Sequence, residues 1–514
     1  MTLLDIFYVF FGLIVAFVAV VYLKIIRPQK RSYDLFRAQG VPCEPFIPLF
    51  GQMFDVIRAN RQNKDLEYFN QLAQKHGYHF LLSLGPLQRL FVLEPELLAD
   101  VLSRSKAEYY GKTSFLINII KPVIGEHNLL LSKHDEHERA RLMLNPAFHS
   151  VNLRSMVPIM TNETAKTIQT LITTSSGSIR LDRQISVLTL SIIASSAFGQ
   201  SFERVPHAKK LISDSFDEAK HIIEYRTLRM INQVKFLDEL PFWGKEKIEE
   251  AKRKLDDFVN QAILDRRNGN SSSLCSGQDI LDLLISAVDQ QGQPFTDEQI
   301  RDEAVTFVLA GHETTSNLLT WALYAMMLDE NVFQACREEI DRVLPNQTVP
   351  TYEHLSDLQV IEAVLYETLR LYPAAPVFGR QSLKEHTISS SDGRMKLFIP
   401  VGTMIVISTY VLHRREDYWP RPLEFDYKRW MRNPTTGLKP KLSHPFAYLP
   451  FAAGPRNCIG QNFAILEAKV ILAMLVQHCT FKLVPGQIIA PHLNGVTMPP
   501  KYGLLGYVQK RDLH

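Results

Sequence analysis

From Ala304 to Leu328 the chain is apolar nearly all the way round a helical projection. Such a helix is enclosed on every side, so the fold around it must be large enough to surround it. The centre of this segment is polar: Gly311, His312, Glu313, Thr314, Thr315, Ser316 and Asn317. A second transmembrane span is the plain alternative, but Glu313 at mid-depth is costly there. Buried polar groups are either hydrogen-bonded or functional. Ala310 and Gly311 let a flat or bulky group approach the backbone. Ala310 and Thr314 share a face at i,i+4, and Glu313 beside Thr314 supplies an acid and a hydroxyl, the parts of a proton relay. A satisfied core network accounts for the same residues.

The composition agrees with a large core. Of 514 residues, 46% are hydrophobic and 22% charged, which excludes wholesale disorder. A net charge of +3 gives no signal for nucleic acid. The five cysteines, Cys43, Cys275, Cys336, Cys458 and Cys479, form no CxxC, so a zinc ribbon and a covalently attached c-type haem are excluded. Any cysteine chemistry comes from one of them singly.

Ile6 to Leu23 carries no charge over 18 residues, about 27 Å of helix, and Lys24, Arg27, Lys30 and Arg31 follow. This pattern predicts an N-terminal anchor over 1–31 with the rest of the chain cytosolic. A cleaved signal peptide would carry its basic residues on the other side, and a buried core helix is the third reading. In a cytosolic chain the sequons at Asn162, Asn270 and Asn346 have no meaning. Residues 32–55, with Gly40, Pro42, Pro45, Pro48 and Gly51, read as a proline-rich hinge, and 56–514 as one catalytic domain. Within it, 78–94 predicts a hairpin around Gly85 and Pro86. Most of 95–340 predicts helices. Arg267 to Gly277 reads as an exposed insertion between helices at 245–266 and 279–289. Residues 395–411 predict a strand pair around Pro400, Val401 and Gly402.

Leu365 to Leu371 predicts a helix ending before Pro373. Glu367 and Arg370 are i,i+3 neighbours among Val364, Leu365, Leu369 and Leu371. Most such pairs are solvated, whereas a buried one needs further partners; Arg429, in the segment Glu424 to Trp430, is a candidate. Downstream, the stretch from Phe451 to Gly460 turns at Gly454 and Pro455 and leads into an amphipathic helix from Gln461. Cys458 then sits at a helix N-terminus, where backbone N–H groups and Arg456 favour thiolate. A nucleophile, an axial haem ligand, a redox-sensor thiol and an inert buried thiol are all open from these residues alone.

Together, and in this order, the three constellations resemble the cytochrome P450 family of haem-thiolate monooxygenases. The resemblance spans the whole chain. It rests on Phe451, Gly454, Arg456, Cys458 and Gly460, on Glu367 and Arg370, and on Ala310, Gly311, Glu313, Thr314 and Thr315. It implies a mainly α fold with a small β-rich region, behind one transmembrane helix. It implies haem b with Cys458 as the axial iron ligand, whose thiolate favours O–O cleavage. Arg141, Arg380 and Arg456 would pair with the haem propionates. Glu313 and Thr314 would supply protons, and Glu367, Arg370 and Arg429 would form a structural triad.

Residues 112–125 and Ala374 to Phe378 would line the substrate pocket, and Pro241, Phe242 and Trp243 would touch the membrane. The family usually has Trp where His137 stands, and His still donates to a propionate. It also usually has Pro where Tyr427 stands. The stretch Cys458 to Gln487 is similar to cholesterol 24-hydroxylases and fatty-acid ω-hydroxylases. The expected activity is oxygen insertion from O2 into a lipophilic sterol, fatty acid or xenobiotic at the endoplasmic reticulum. NADPH would supply electrons through NADPH-cytochrome reductase, with cytochrome b5 as a second candidate donor. The competing classes are a haem-thiolate isomerase or dehydratase, which needs no reductase, and a haem-binding sensor or carrier. An acid–hydroxyl pair favours the monooxygenase.

Overall fold

The computed structural model describes residues 3–173, 177–204, 208–227 and 244–512. Pro241, Phe242 and Trp243 lie outside the described residues. The chain forms two compact units, residues 1–113 with 377–411, and residues 114–376 with 412–514. The divisions fall inside both stretches expected to line a substrate pocket.

In the first unit, one helix runs from Leu3 to Ala38 and is long and apolar enough to cross a membrane. No residue from Leu3 to Val21 is buried. A single π-turn at Tyr22–Ile26 carries this span into Arg27–Ala38. That second half buries Gln29, Tyr33 and Phe36. Gln29 Nε2 donates to Gly85 O at 3.1 Å, and Leu49 N donates to Gln29 Oε1 at 3.2 Å. The proline-rich stretch lies along the sheet: Glu44 N donates to Leu81 O, and Cys43 and Gly51 bridge to Leu81 and Leu84.

The expected hairpin forms from His79–Leu84 and Leu87–Val92, with Leu84 facing Leu87 across the turn. These strands open a five-stranded sheet that continues through Met404–Ser408, Val377–Ser382 and Tyr110–Gly111. Both strands expected in 395–411 form, but they do not pair with each other. Lys396–Ile399 pairs with His386–Ser389, while Met404–Ser408 lies parallel to Leu87–Val92 and antiparallel to Val377–Ser382. The turn at Pro400 to Thr403 passes the chain between two sheets.

The second unit is helical. Its axis is Asp297–Leu328, 32 residues and about 48 Å long. The helix begins a full two turns before the apolar run. Thr296 and Gln299 form a capping box, and Asp297 and Glu298 lie in its positive first turn. Leu181–Phe198, Gln359–Leu371 and Gln461–His478 pack against it, and Leu188, Ile192, Leu319, Leu323, Leu472 and Val476 belong to the same buried cluster. The helices flanking the expected insertion form as Lys245–Arg267 and Ile280–Ser286. The insertion is tied down in part, since Ser271 is buried and lies 2.6 Å from Ser201.

The helix Gln461–His478 is not amphipathic. Beyond its first turn, every residue from Leu466 to Gln477 is buried. Its two charged residues are therefore internal, Lys469 on Glu362 at 3.0 Å and Glu467 beside Thr315.

Candidate haem-thiolate site

The Cys458 loop is shaped by its backbone. Gly454 has φ +74°, which a Cβ would strain, and Ala452 adopts φ +57° despite having one. Cys458 N donates to Phe451 O at 2.9 Å and closes the loop, and a 3₁₀ turn at Gly454–Arg456 feeds it toward Gly460, the N-cap of the next helix. Cys458 stands two residues before that cap. All five cysteines are free, and only Cys458 is exposed. Burial pushes the Cys43 thiol up to about 11 and the Cys479 thiol up to about 12, and raises Cys275 and Cys336 as well. Burial thus favours the thiol form at four of the five, and Cys458 is the most exposed of the five.

Arg141 braces this loop from the helix His134–Leu144. Its Nη1 donates to Asn457 O at 2.6 Å, its Nη2 to Asn457 Oδ1 at 2.9 Å and its Nε to Asn145 Oδ1 at 3.2 Å. Arg456 donates to Ser132 O at 2.9 Å. Burial lowers the pKa of both arginines, with the Cys458 thiolate opposing this at Arg141. Neither has a carboxylate partner among the described residues. His137 is buried one turn before Arg141. Arg380 is buried in the first unit's sheet, donating to Gly379 O at 3.1 Å, and is described only within that unit. A cavity of about 530 Å³ opens beside Arg141, Phe148 and Cys458.

The central helix was expected to be buried all round, and it is not. Val308 and Thr315 are buried, yet Ala310 between them is exposed and Leu309 to Thr314 are less covered than their neighbours. Exposure in the middle of a core helix marks a space beside it. Phe148 joins this helix to the cysteine loop: its ring lies 5.4 Å from Phe307, and it is the atom nearest a Cβ built on Gly460, at 3.9 Å. Phe307, Ala310 and Thr314 share one helical face. Gly311 plays a different part from the one expected. A Cβ there would stand 3.1 Å from Ile193, so its small size serves helix packing. His312 faces the same neighbouring helix, 2.8 Å from Ser186.

Thr314 Oγ1 donates to Ala310 O at 2.7 Å, and Glu313 Oε1 accepts from Thr497 Oγ1 at 2.8 Å. The acid and the hydroxyl are therefore held separately.

The Glu367–Arg370 pair is fully buried. Arg370 Nε and Nη2 donate to Glu367 at 2.9 and 2.8 Å, and its remaining donors reach the carbonyls of His413, Pro422 and Glu424 at 2.6–2.9 Å. Arg429 approaches Glu367 at 3.4 Å. Two partners had no motif to announce them, Trp430 Nε1 at 2.8 Å and Asp426 N at 2.9 Å. The 3₁₀ turn Tyr427–Trp430 delivers both Arg429 and Trp430 to one carboxylate. His413 accepts from Leu449 N at 2.8 Å and stays neutral, because burial and the adjacent Arg370 and Arg414 push its pKa down to about 3. It thus links the ion pair to the start of the cysteine loop.

These residues fit a haem. One exposed cysteine, two guanidinium groups without carboxylate partners among the described residues and an uncovered stretch of core helix would serve as ligand, propionate partners and room for a flat ring. A mainly helical fold with an exposed thiol on a loop before a buried helix is the arrangement a haem-thiolate protein needs. The cytochrome P450 family profile matches residues 41–506. Human cytochrome P450 4F12 is 31% identical over 467 residues, covering 87% of this chain and 85% of that protein. Chloroplastic cytochrome P450 97B2 of Glycine max is 30% identical, with 85% and 82% covered, and cytochrome P450 3A12 of Canis lupus familiaris 27% identical, with 94% and 93% covered. The chain belongs to the cytochrome P450 family, whose members are monooxygenase oxidoreductases.

Proposed function

We propose that this chain is a membrane-anchored, single-pass enzyme of the endoplasmic reticulum that inserts one oxygen atom from O2 into a lipophilic sterol, fatty acid or xenobiotic. Its catalytic part faces the cytosol, and NADPH supplies electrons through NADPH-cytochrome reductase, with cytochrome b5 as a second donor. The observation that carries the reading is Cys458, the one exposed thiol, on a loop braced by Arg141. Haem b, ligated by that sulfur, supplies the activation of dioxygen. The protein supplies the rest. Arg141, Arg380, Arg456 and His137 hold the propionates. Phe451, Gly454, Gly460 and Ala310 shape the space for the ring, while Gly311 packs the central helix against Ile193. Glu313 and Thr314 hold and pass protons, and Glu367, Arg370 and Arg429 fix the segment that leads to the loop.

The reading is tested with reduced carbon monoxide spectra of the five single Cys→Ala variants. Cys458→Ala loses the thiolate-type band and the other four keep it; a normal band in Cys458→Ala ends the assignment. A screen of sterols, fatty acids and amines for shifts of the haem absorption band then selects the substrate class.

A further inference from the structure

The acid on the central helix is held by a residue far away in sequence. Thr497 is 3% exposed and lies 184 positions from Glu313, to which its hydroxyl donates at 2.8 Å. The loop that carries it is fixed at several points. Trp321 Nε1 donates to Met498 O at 2.8 Å, Met498 N donates to Ala374 O at 3.1 Å, and His492 Nε2 lies 3.3 Å from Glu224 Oε1. At its tip Gly495 has φ +62°, and a Cβ there would meet Ile223 at 3.0 Å. Thr497 is therefore a fixed post.

A hydroxyl has one proton to give and two lone pairs. Toward a carboxylate, Thr497 donates to Glu313 Oε1. Toward a protonated Glu313 it accepts, and its own proton turns to Asn494 O, 3.4 Å away. One neutral side chain can thus hold Glu313 in both protonation states. Thr314, next along the helix, gives its proton to Ala310 O instead.

We propose that Thr497 is the positioning residue for Glu313, keeping the acid in one orientation while it loses and regains its proton. This rests on the monooxygenase reading. The test uses full-length, haem-loaded protein and the variants Thr497→Val and Thr497→Ser. All should keep the thiolate-type carbon monoxide spectrum, which shows that they fold. With a turned-over substrate, Thr497→Val should lower product formed per NADPH toward the ~10²-fold loss that a 1 Å misplacement causes, with KM unchanged. Thr497→Ser, which keeps the hydroxyl, should restore it.

A second readout does not need turnover. Thr497→Val and Glu313→Ala should each speed hydrogen exchange of the amides at 494–498, and the double variant should add nothing to the larger single effect. A native product ratio in Thr497→Val, or additive exchange effects, overturns the proposal. If native protein binds haem yet consumes no NADPH with any substrate, the monooxygenase reading fails and takes the positioning role with it. The exchange cycle still decides whether the two residues are paired.

Discussion

Arg141 holds both the carbonyl and the side-chain oxygen of Asn457, at 2.6 and 2.9 Å, and Asn457 is the residue before Cys458. The guanidinium is thus a splint on the loop that presents the sulfur. Hydrogen bonds from a charged donor are worth about 1.5–3 kcal/mol each. Arg141→Ala should therefore lower the fraction of protein showing the thiolate-type carbon monoxide band. Arg141→Lys, with the charge but no fork, should recover only part of it. Equal spectra for Arg141→Ala and the native protein would remove the splint.

Removing one member of the Glu367–Arg370 pair leaves the other buried and uncompensated. Glu367→Ala should destabilise the protein by about 3–5 kcal/mol. Trp430→Phe removes one hydrogen bond to the same carboxylate and should cost about 1.5–3 kcal/mol. Thermal unfolding in detergent should rank them in that order; a Glu367→Ala variant as stable as Trp430→Phe contradicts the network.

Thr314→Ala should leave haem binding, substrate binding and electron entry intact. A positioned proton donor contributes about 10²–10⁴-fold in rate. The variant should keep consuming NADPH while hydrogen peroxide replaces product. NADPH, peroxide and product are measured together; an unchanged product-to-NADPH ratio rejects the relay role. An isomerase would use little NADPH from the start.

Glu467 is wholly enclosed, and burial raises its pKa well above the ordinary carboxylate range, only partly offset by the Thr315 hydroxyl beside it. The unfolded chain releases this proton near pH 4.5, while the folded chain keeps it. Its contribution to stability is therefore complete below that pH and shrinks as pH rises toward the folded value, by up to about 1.4 kcal/mol per pH unit. Glu467→Gln removes the titration. Relative to native protein, the variant should gain stability steadily from pH 5 to pH 8 in denaturant titrations. A constant difference across that range would show that Glu467 is ionised in the fold.

The basic residues upstream of the cysteine loop are less free than their sequence suggests. Lys439 and Arg432, joined by Lys469 from the helix after the loop, converge on Glu362 at 2.6, 4.0 and 3.0 Å, and Arg139 is engaged by Asp289 at 2.6 Å. Burial opposes it, but Lys469 and Lys439 keep Glu362 below its usual carboxylate range. Reversing Arg432, Lys439 and Lys441 together should slow first-electron reduction by the reductase. The difference should narrow as salt shortens the screening length from ~10 Å at 0.1 M. A rate that salt and reversal both leave unchanged would place the electron donor elsewhere.

Local signals were sufficient for the cysteine loop, the Glu367–Arg370 helix and the 79–92 hairpin, because turn residues and periodicity act over a few positions. The helix Asp297–Leu328 was legible in its apolar part from Ala304 onward, while nothing in that pattern marked its capped start at Thr296. Contacts formed across long separations left no trace. Thr497 on Glu313, Trp430 on Glu367 and Ile193 against Gly311 are set by packing, and no spacing rule announces them. The strand Met404–Ser408 was visible, but its partners were not, since sheet order is decided by where distant hydrophobic faces meet.

The helix from Leu3 to Ala38 has no swivel between its apolar half and the half clamped by Gln29 to the turn at Gly85. A continuous helix transmits torsion as well as position. Each residue added or removed near Leu23 would turn the span by about 100° about its axis and shift it about 1.5 Å. The length of the apolar half therefore sets the heading of the sheet joined to it, much as the keyway on a shaft fixes a gear.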